Sequence, residues 1–150
     1  MNAKQPVKII SLALVVLQTA LSAAVVLSVR EPSGHILGVA AACLGVAVGY
    51  WAISEIGGRR VSVMPQVRSD AELVTTGPYR WIRHPMYAAL LLLVGGLACS
   101  PPAMWKCIAW CMLLFVLTIK AEIEERELVR RFPAYIEYSK RTKRILPYLF

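Results

Sequence analysis

Ile36-Leu-Gly-Val-Ala-Ala-Ala-Cys-Leu-Gly-Val-Ala-Val-Gly-Tyr-Trp-Ala-Ile-Ser-Glu-Ile56 meets its first charge, Glu55, one residue before its end. An uninterrupted apolar run of about 20 residues, wound as a helix, crosses the ~30 Å hydrocarbon core of a bilayer. Residues 7–29 form a second run of this kind, in which Lys8 and Gln18 are the strongly polar interruptions. The whole chain agrees: 150 residues, 57% hydrophobic, mean hydropathy +0.56, against about 45–50% apolar residues in an ordinary soluble domain. The run at 7–29 is long, and the second follows within a few residues. Both features predict a retained anchor and not a cleaved leader, whose apolar core is shorter.

Two shorter apolar runs, 86–99 and 103–119, flank Ser100-Pro-Pro102, and the second run contains Lys106. Proline ends helices by removing a backbone donor and clashing with the preceding turn. The pair is therefore expected to form a tilted or partly sunken helical hairpin that returns to the side it came from. The predicted fold class is an all-α integral membrane protein. It has about four transmembrane or membrane-embedded helices and a cytosolic C-terminal helical segment. Helices are expected over 6–29 and 35–56, with Gly57-Gly58 ending the second. Residues 59–76 read as extended, with Val61, Val63 and Val67 β-branched and Pro65 blocking a helix. Thr75-Thr-Gly-Pro78 reads as a turn, and Pro85 suits the first turn of the next helix, just after His84. A charged helix is expected to leave the membrane from Lys120 and to stop or restart at Pro133.

Of 17 Lys and Arg, only Arg30 and Lys106 fall at the turns predicted to lie outside. The bias of cationic residues toward cytoplasmic loops predicts cytosolic termini and a cytosolic central loop. The formal net charge of +8 is accounted for by topology and by anionic lipid headgroups, and nucleic acid is not an expected partner. Cys43, Cys99, Cys107 and Cys111 lie in apolar runs with no His or carboxylate beside them, so they read as small buried apolar residues and not as a metal site. Gly34, Gly38, Ala42, Gly45 and Gly49 give the second helix small residues at close-packing spacing, read as packing within the chain ahead of a dimer face.

The stretch with the most chemistry is Leu73-Val-Thr-Thr-Gly-Pro-Tyr-Arg-Trp-Ile-Arg-His-Pro-Met-Tyr87. By residue type alone, Tyr79, Trp81 and Tyr87 could form an interfacial aromatic belt, with Arg80 and Arg83 touching lipid. Three features argue for more. His84 sits next to a proline that fixes the backbone. Glu122, Glu124, Glu125 and Glu127 crowd one helix at a membrane surface, where anionic lipids would repel them. Lys120 and Glu124 share one helix face at i,i+4. Tyr135 and Tyr138, followed by Lys140-Arg141 and Lys143-Arg144, suit the headgroup layer.

This stretch, with Gly77-Pro-Tyr79 and Arg83-His-Pro-Met-Tyr87, resembles the signature of the isoprenylcysteine carboxyl methyltransferase family. It is shared in looser form with phospholipid methyltransferases and membrane sterol reductases. The pattern Glu124-Glu125, Phe132-Pro-Ala-Tyr135-Ile-Glu-Tyr138 and Arg144-Ile-Leu-Pro147 is similar to the same family, and the two patterns cover roughly residues 60–150. The chain is expected to form a single membrane domain over 1–150, its apolar runs giving a two-helix N-terminal anchor (1–58) and the resemblance implying a cofactor-binding and catalytic core (59–150). It implies S-adenosyl-L-methionine as cofactor, held by Glu72, Leu73, Val74, Tyr79, His84, Pro85, Met86, Tyr87 and Glu124. It implies Lys120 as the basic residue for a substrate carboxylate, with Lys in place of the Arg of eukaryotic members, and Pro133 in place of the usual Gly. A soluble dinucleotide-binding motif is absent from the sequence.

The residue types suit that task. A carboxylate can meet a sulfonium or ammonium, and aromatic faces attract cations. A carboxylate acceptor is already ionised at neutral pH and needs no general base. A lipophilic acceptor would enter from the bilayer. An ethanolamine headgroup would instead have to lose a proton, for which His84 is the candidate in the motif. Two further readings are a nicotinamide-dependent reductase of a lipid double bond, whose relatives carry more helices, and a non-enzymatic membrane subunit or small exporter. For an exporter the nearest intramembrane acid is Glu55, itself read as interfacial.

Overall fold

The computed structural model describes residues 4–30, 36–57 and 73–145. Five α-helices carry the architecture: α1 (Lys4–Leu27), α2 (Ile36–Ile56), α3 (Pro85–Ala98), α4 (Met104–Arg131) and α5 (Tyr135–Arg141). A short 3-10 turn (Gly77–Arg80) precedes α3. The all-α reading holds among the described residues. The extended reading of 59–76 falls mostly outside them, as do Glu72 and Pro147.

Local chemistry sets the boundaries. Gly57 ends α2 at φ 79°, a left-handed value that costs glycine little. Its N–H donates to Ile53 O at 3.0 Å. Pro85 opens α3, and the His84 carbonyl just before it accepts from the N–H groups of Tyr87 and Ala88 at 3.0 and 3.2 Å. Proline is suited to this place because the N–H it lacks would have no partner inside the helix. α4 is one unbroken helix of 28 residues, about 42 Å long at 1.5 Å per residue. The apolar run and the charged segment expected as separate pieces are therefore one rod. α4 ends at Arg131 ahead of Pro133, and α5 starts two residues after that proline.

Small residues draw α2 and α3 together in antiparallel contact. A Cβ added at Gly38 would lie 2.7 Å from Gly96 O, and one at Gly45 would lie 2.6 Å from Leu93 N and 2.7 Å from Ala89 O. The small-residue face thus packs within the chain. Gly45→Ala is expected to cost about 1–3 kcal/mol, because the atoms it meets are backbone and cannot swing aside. Gly49→Ala, whose Cβ would meet Ala89 Cβ at 3.4 Å, should be close to neutral. Thermal melts of the two detergent-solubilised variants would separate them.

The main core joins α1, α3 and α4 through Val25, Leu91, Val94, Ala109, Leu113 and Leu117. Trp110 of α4 donates its indole N–H to Leu91 O at 2.9 Å. It can reach there because Gly95 carries no side chain: a Cβ at that position would be 2.8 Å from the indole nitrogen. Lys106, beside the turn that joins α3 to α4, is buried. Its ammonium donates to Ser100 O and Pro101 O at 3.1 and 3.0 Å, satisfying carbonyls just past the end of α3.

Much apolar surface faces outward. Leu27, Ile36 and Leu37 are each more than four-fifths exposed. Residues 9–27 and α2 are long and apolar enough to cross a membrane, and only 11% and 22% of those segments is buried. The core helix of a soluble protein would be mostly covered; these side chains suit lipid instead. α3, at 14 residues, is about 21 Å long, short of a full hydrocarbon crossing. The cysteines depart from expectation: all four are free and exposed, on helix surfaces of the same outward apolar kind and not in the core.

Candidate functional site

The loop before α3 is fixed from two sides. Gly77 adopts φ 56°, and a Cβ there would fall 2.5 Å from the Glu55 carboxylate oxygen. Thr76 Oγ1 donates to the other oxygen of Glu55 at 2.7 Å. Glu55, read as interfacial, thus ties the end of α2 to the motif loop. From the opposite side the chain after α5 runs parallel to residues 81–84. Lys143 N donates to Trp81 O at 2.9 Å, Arg83 N to Lys143 O at 2.7 Å and His84 N to Arg144 O at 2.9 Å. Tyr138 Oη adds a bond to Tyr79 O at 2.7 Å.

Two side-chain groups result. The first is centred on Glu125, whose side chain is 12% exposed. Its Oε1 accepts from Arg83 Nε at 2.8 Å and lies 3.2 Å from His84 Nε2. Its Oε2 accepts from Arg144 Nε and Nη2 at 3.1 and 2.7 Å. Arg144 also pairs with Glu122 at 2.8 Å. Arg83 further donates to the carbonyls of Ser139 and Thr142. It is therefore no lipid contact, whereas Arg80 and Trp81 are exposed.

Burial works to raise the Glu125 pKa, but hydrogen bonds from His84, Arg144 and Arg83 outweigh it and hold the value at about 2 against the usual 4.5. A folded-state pKa below the unfolded one stabilises the fold fully above about 4.5, and that contribution is lost as pH falls toward 2. The melting temperature is therefore expected to drop across that window, a pH-melt series being the measurement, and Glu125→Gln should flatten this component.

The second group is centred on Tyr87 and brings the two sequence-distant stretches together. Tyr87 Oη donates to Glu124 Oε2 at 3.0 Å, and the same oxygen lies 3.6 Å from His84 Nδ1. The Tyr87 and His84 rings stack at 5.1 Å with 5° between planes. Lys120 Nζ lies 5.4 Å from the centre of the Tyr87 ring and donates to Gln18 Oε1 of α1. Lys120 is buried, while the Glu124 side chain keeps 32% of its surface open. Adjacent residues on a helix point about 100° apart, which is how the Glu124–Glu125 pair splits: one carboxylate is consumed by three basic side chains, and the other keeps an open edge.

Of the remaining expected site residues, Tyr79 and Pro85 are buried, and Leu73, Val74 and Met86 are half-buried. Burial, and then the Glu124 charge, raise the Tyr79 pKa above the ordinary phenol value, so its hydroxyl stays protonated and able to donate. Tyr135 is a correction: it lies in the core and not in a headgroup layer. Tyr138 is half-buried, its phenol pushed up to about 12, chiefly by burial.

Residue-by-residue reading missed Gln18, Arg83 and Arg144 as parts of this constellation. Gln18 did stand out as a polar interruption in the first apolar run, and Arg144 lay inside the C-terminal pattern. Their partners, 102 and 19 residues away, could not be read from spacing.

The sequence profile described as phospholipid methyltransferase matches residues 33–134, more than half of the chain. Among curated proteins the chain is similar to the uncharacterized protein YpbQ of Bacillus subtilis, 42% identical over an alignment of 76 residues that covers 48% of this chain and 43% of that protein. It is also similar to the nickel-cobalt-cadmium resistance protein NccN of Alcaligenes xylosoxydans xylosoxydans, 37% identical over 55% of this chain and 39% of that protein. The cobalt-zinc-cadmium resistance protein CzcN of Cupriavidus metallidurans is 38% identical over 55% and 38%. The matched region thus spans about two fifths of the length of these relatives.

Proposed function

We propose, for a chain that belongs to the phospholipid methyltransferase family, that it is a membrane enzyme transferring a methyl group from S-adenosyl-L-methionine to a lipophilic acceptor. The observation that carries this reading is the contact between Tyr87 and Glu124, which closes two distant stretches around one partly open carboxylate. The donor set fits the cofactor's chemistry: a carboxylate for a sulfonium or ammonium, phenol hydroxyls and ring faces beside it, and polar backbone for an adenine edge. In the proposed site Glu124 meets the donor's cationic part or its ribose hydroxyls. Tyr79, Tyr87 and His84 line it with Pro85 and Met86, and the backbone of Leu73 and Val74 meets the base. When bound, the cofactor supplies an electrophilic methyl group on a sulfonium.

The chain's own work is positioning and exclusion of water. Glu125, gripped by Arg83 and Arg144, holds the His84 ring and so the floor on which Tyr87 stacks. Lys120 presents a buried ammonium beside that ring, suited to orient an anionic acceptor. The favoured acceptor is the carboxylate of an isoprenylcysteine-like compound. Such a group attacks carbon in line without losing a proton, and a dry pocket beside the bilayer strips water from it. The same buried cation would repel an ammonium. Both termini and the site are placed on the cytosolic face, by the bias of the basic residues.

The second reading is methylation of a phospholipid ethanolamine, favoured by the description of the family profile. It needs a group to take the ammonium proton. Both ring nitrogens of His84, the candidate, face carboxylates, so its ring is already engaged. Methyl-tritiated donor incubated with N-acetyl-S-farnesylcysteine and, separately, with phosphatidylethanolamine vesicles decides between them. The expected product is base-labile label on the farnesylcysteine derivative, as an ester. Base-stable label on the phospholipid would establish the amine reading, and no transfer to either would favour a non-enzymatic subunit.

A further inference from the structure

The apolar run of α2 reads as an anchor, but its last two turns grip the loop that carries the methyl-donor residues. Trp51 and Glu55 stand four residues apart and so share one face of α2. The Trp51 ring meets the Trp81 ring edge-on, with 5.8 Å between centroids and 66° between planes. One turn further on, Glu55 Oε2 accepts from Thr76 Oγ1 at 2.7 Å, a bond strengthened by the carboxylate charge. Glu55 Oε1 stands 2.5 Å from where a Cβ on Gly77 would lie. Gly77 also holds φ 56°, so glycine admits both the turn and the carboxylate.

This grip differs in place from the one made by the C-terminal segment. Tyr138, Lys143 and Arg144 hold the backbone of residues 79–84. Glu55 holds Thr76 and Gly77, upstream of them. The Thr76 carbonyl in turn accepts from Tyr79 N at 3.1 Å, opening the 3-10 turn. Val74 lies two residues before Thr76, at most about 7 Å of chain. The residues that Glu55 fixes therefore stand between two parts of the proposed donor wall, the Leu73-Val74 backbone and Tyr79.

We infer that Glu55 is a positioning residue of the methyl-donor site: from the end of α2 it sets the path of residues 74–79, and so the separation between the backbone that meets the base and Tyr79. This role rests on the methyltransferase reading and adds α2 to the working parts of that site. Glu55 acts through Thr76 and Gly77.

The test uses the full chain in nanodiscs and two readouts. One is calorimetric titration with S-adenosylhomocysteine. The other is hydrogen exchange at the amides of Tyr79, Trp81 and Ile82, which donate within the turn. Glu55→Ala is expected to weaken S-adenosylhomocysteine about tenfold and to speed exchange at those amides, with the melting temperature close to wild type. Glu55→Gln keeps an acceptor oxygen for Thr76 and should recover most of the affinity, a rescue that general loss of stability would not show. Thr76→Val should match Glu55→Ala, and the double variant should lose no more than either alone, as two halves of one contact do. Unchanged affinity in Glu55→Ala, at either exchange rate, would overturn the inference. So would additive losses in the double variant, or a glutamine variant as weak as the alanine one. A wild-type chain that binds no S-adenosylhomocysteine would sink the methyltransferase reading itself. Faster exchange in Glu55→Ala would then leave Glu55 as a contact of the fold alone.

Discussion

Glu125→Gln is expected to lower the melting temperature by on the order of 10 °C, the largest stability effect of any single polar substitution considered for this chain. The wild-type carboxylate accepts from Arg83, His84 and Arg144. The amide keeps the volume but brings a donor against two guanidinium groups and removes the charge they share, leaving Arg144 with Glu122. Breaking a buried ion pair from one side costs about 3–5 kcal/mol, and in a chain of this size each kcal/mol moves the midpoint by roughly 2–4 °C. The damage should spread in a defined direction. Arg144 and its neighbours run beside residues 81–84, so limited proteolysis should cut first after α5. A midpoint within 2 °C of wild type would mean that the network contributes little.

Glu124→Gln, one residue away, is expected to do the opposite: little to the fold and much to the ligand. Its side chain is a third open and meets Tyr87 and His84, so an amide can keep the Tyr87 bond. What is lost is negative charge where a sulfonium or ammonium would sit. Hydrogen bonds and contacts to a charged group contribute about 1.5–3 kcal/mol. That converts to a loss of about tenfold to 150-fold in S-adenosylhomocysteine affinity, read by calorimetry, with the melting temperature within a few degrees of wild type. Tyr87→Phe, which removes only the hydroxyl, should lose less. Equal affinity in wild type and Glu124→Gln would remove Glu124 from the donor site.

The contrast between these neighbours shows where sequence reading reached its limit. Helix positions followed from apolar run length, and their ends from Gly57, Pro85 and Pro133, because these are local effects of backbone freedom and lost donors. The meeting of residues 79–87 with 120–125 was legible through motif resemblance, and Tyr87 and Glu124 are in contact. The division of labour within Glu124-Glu125 was not legible. It depends on Arg144 returning beside residues 81–84, a long-range register with no periodic signature. Burial assignments failed where they borrowed soluble-protein habits. Apolar cysteines were placed inside although lipid-facing helices hide nothing by being apolar. Tyr135 was read as interfacial by residue type, whereas its position just after Pro133 turns it into the core.

The most direct measurement of the central claim is ultraviolet cross-linking of methyl-tritiated S-adenosylmethionine to the intact chain in nanodiscs, with the labelled peptides mapped by mass spectrometry. The account predicts saturable label on peptides from both stretches, residues 73–87 and 120–125, displaced by S-adenosylhomocysteine and reduced in Glu124→Gln. Label absent at saturating donor, or confined to peptides elsewhere in the chain, would contradict it.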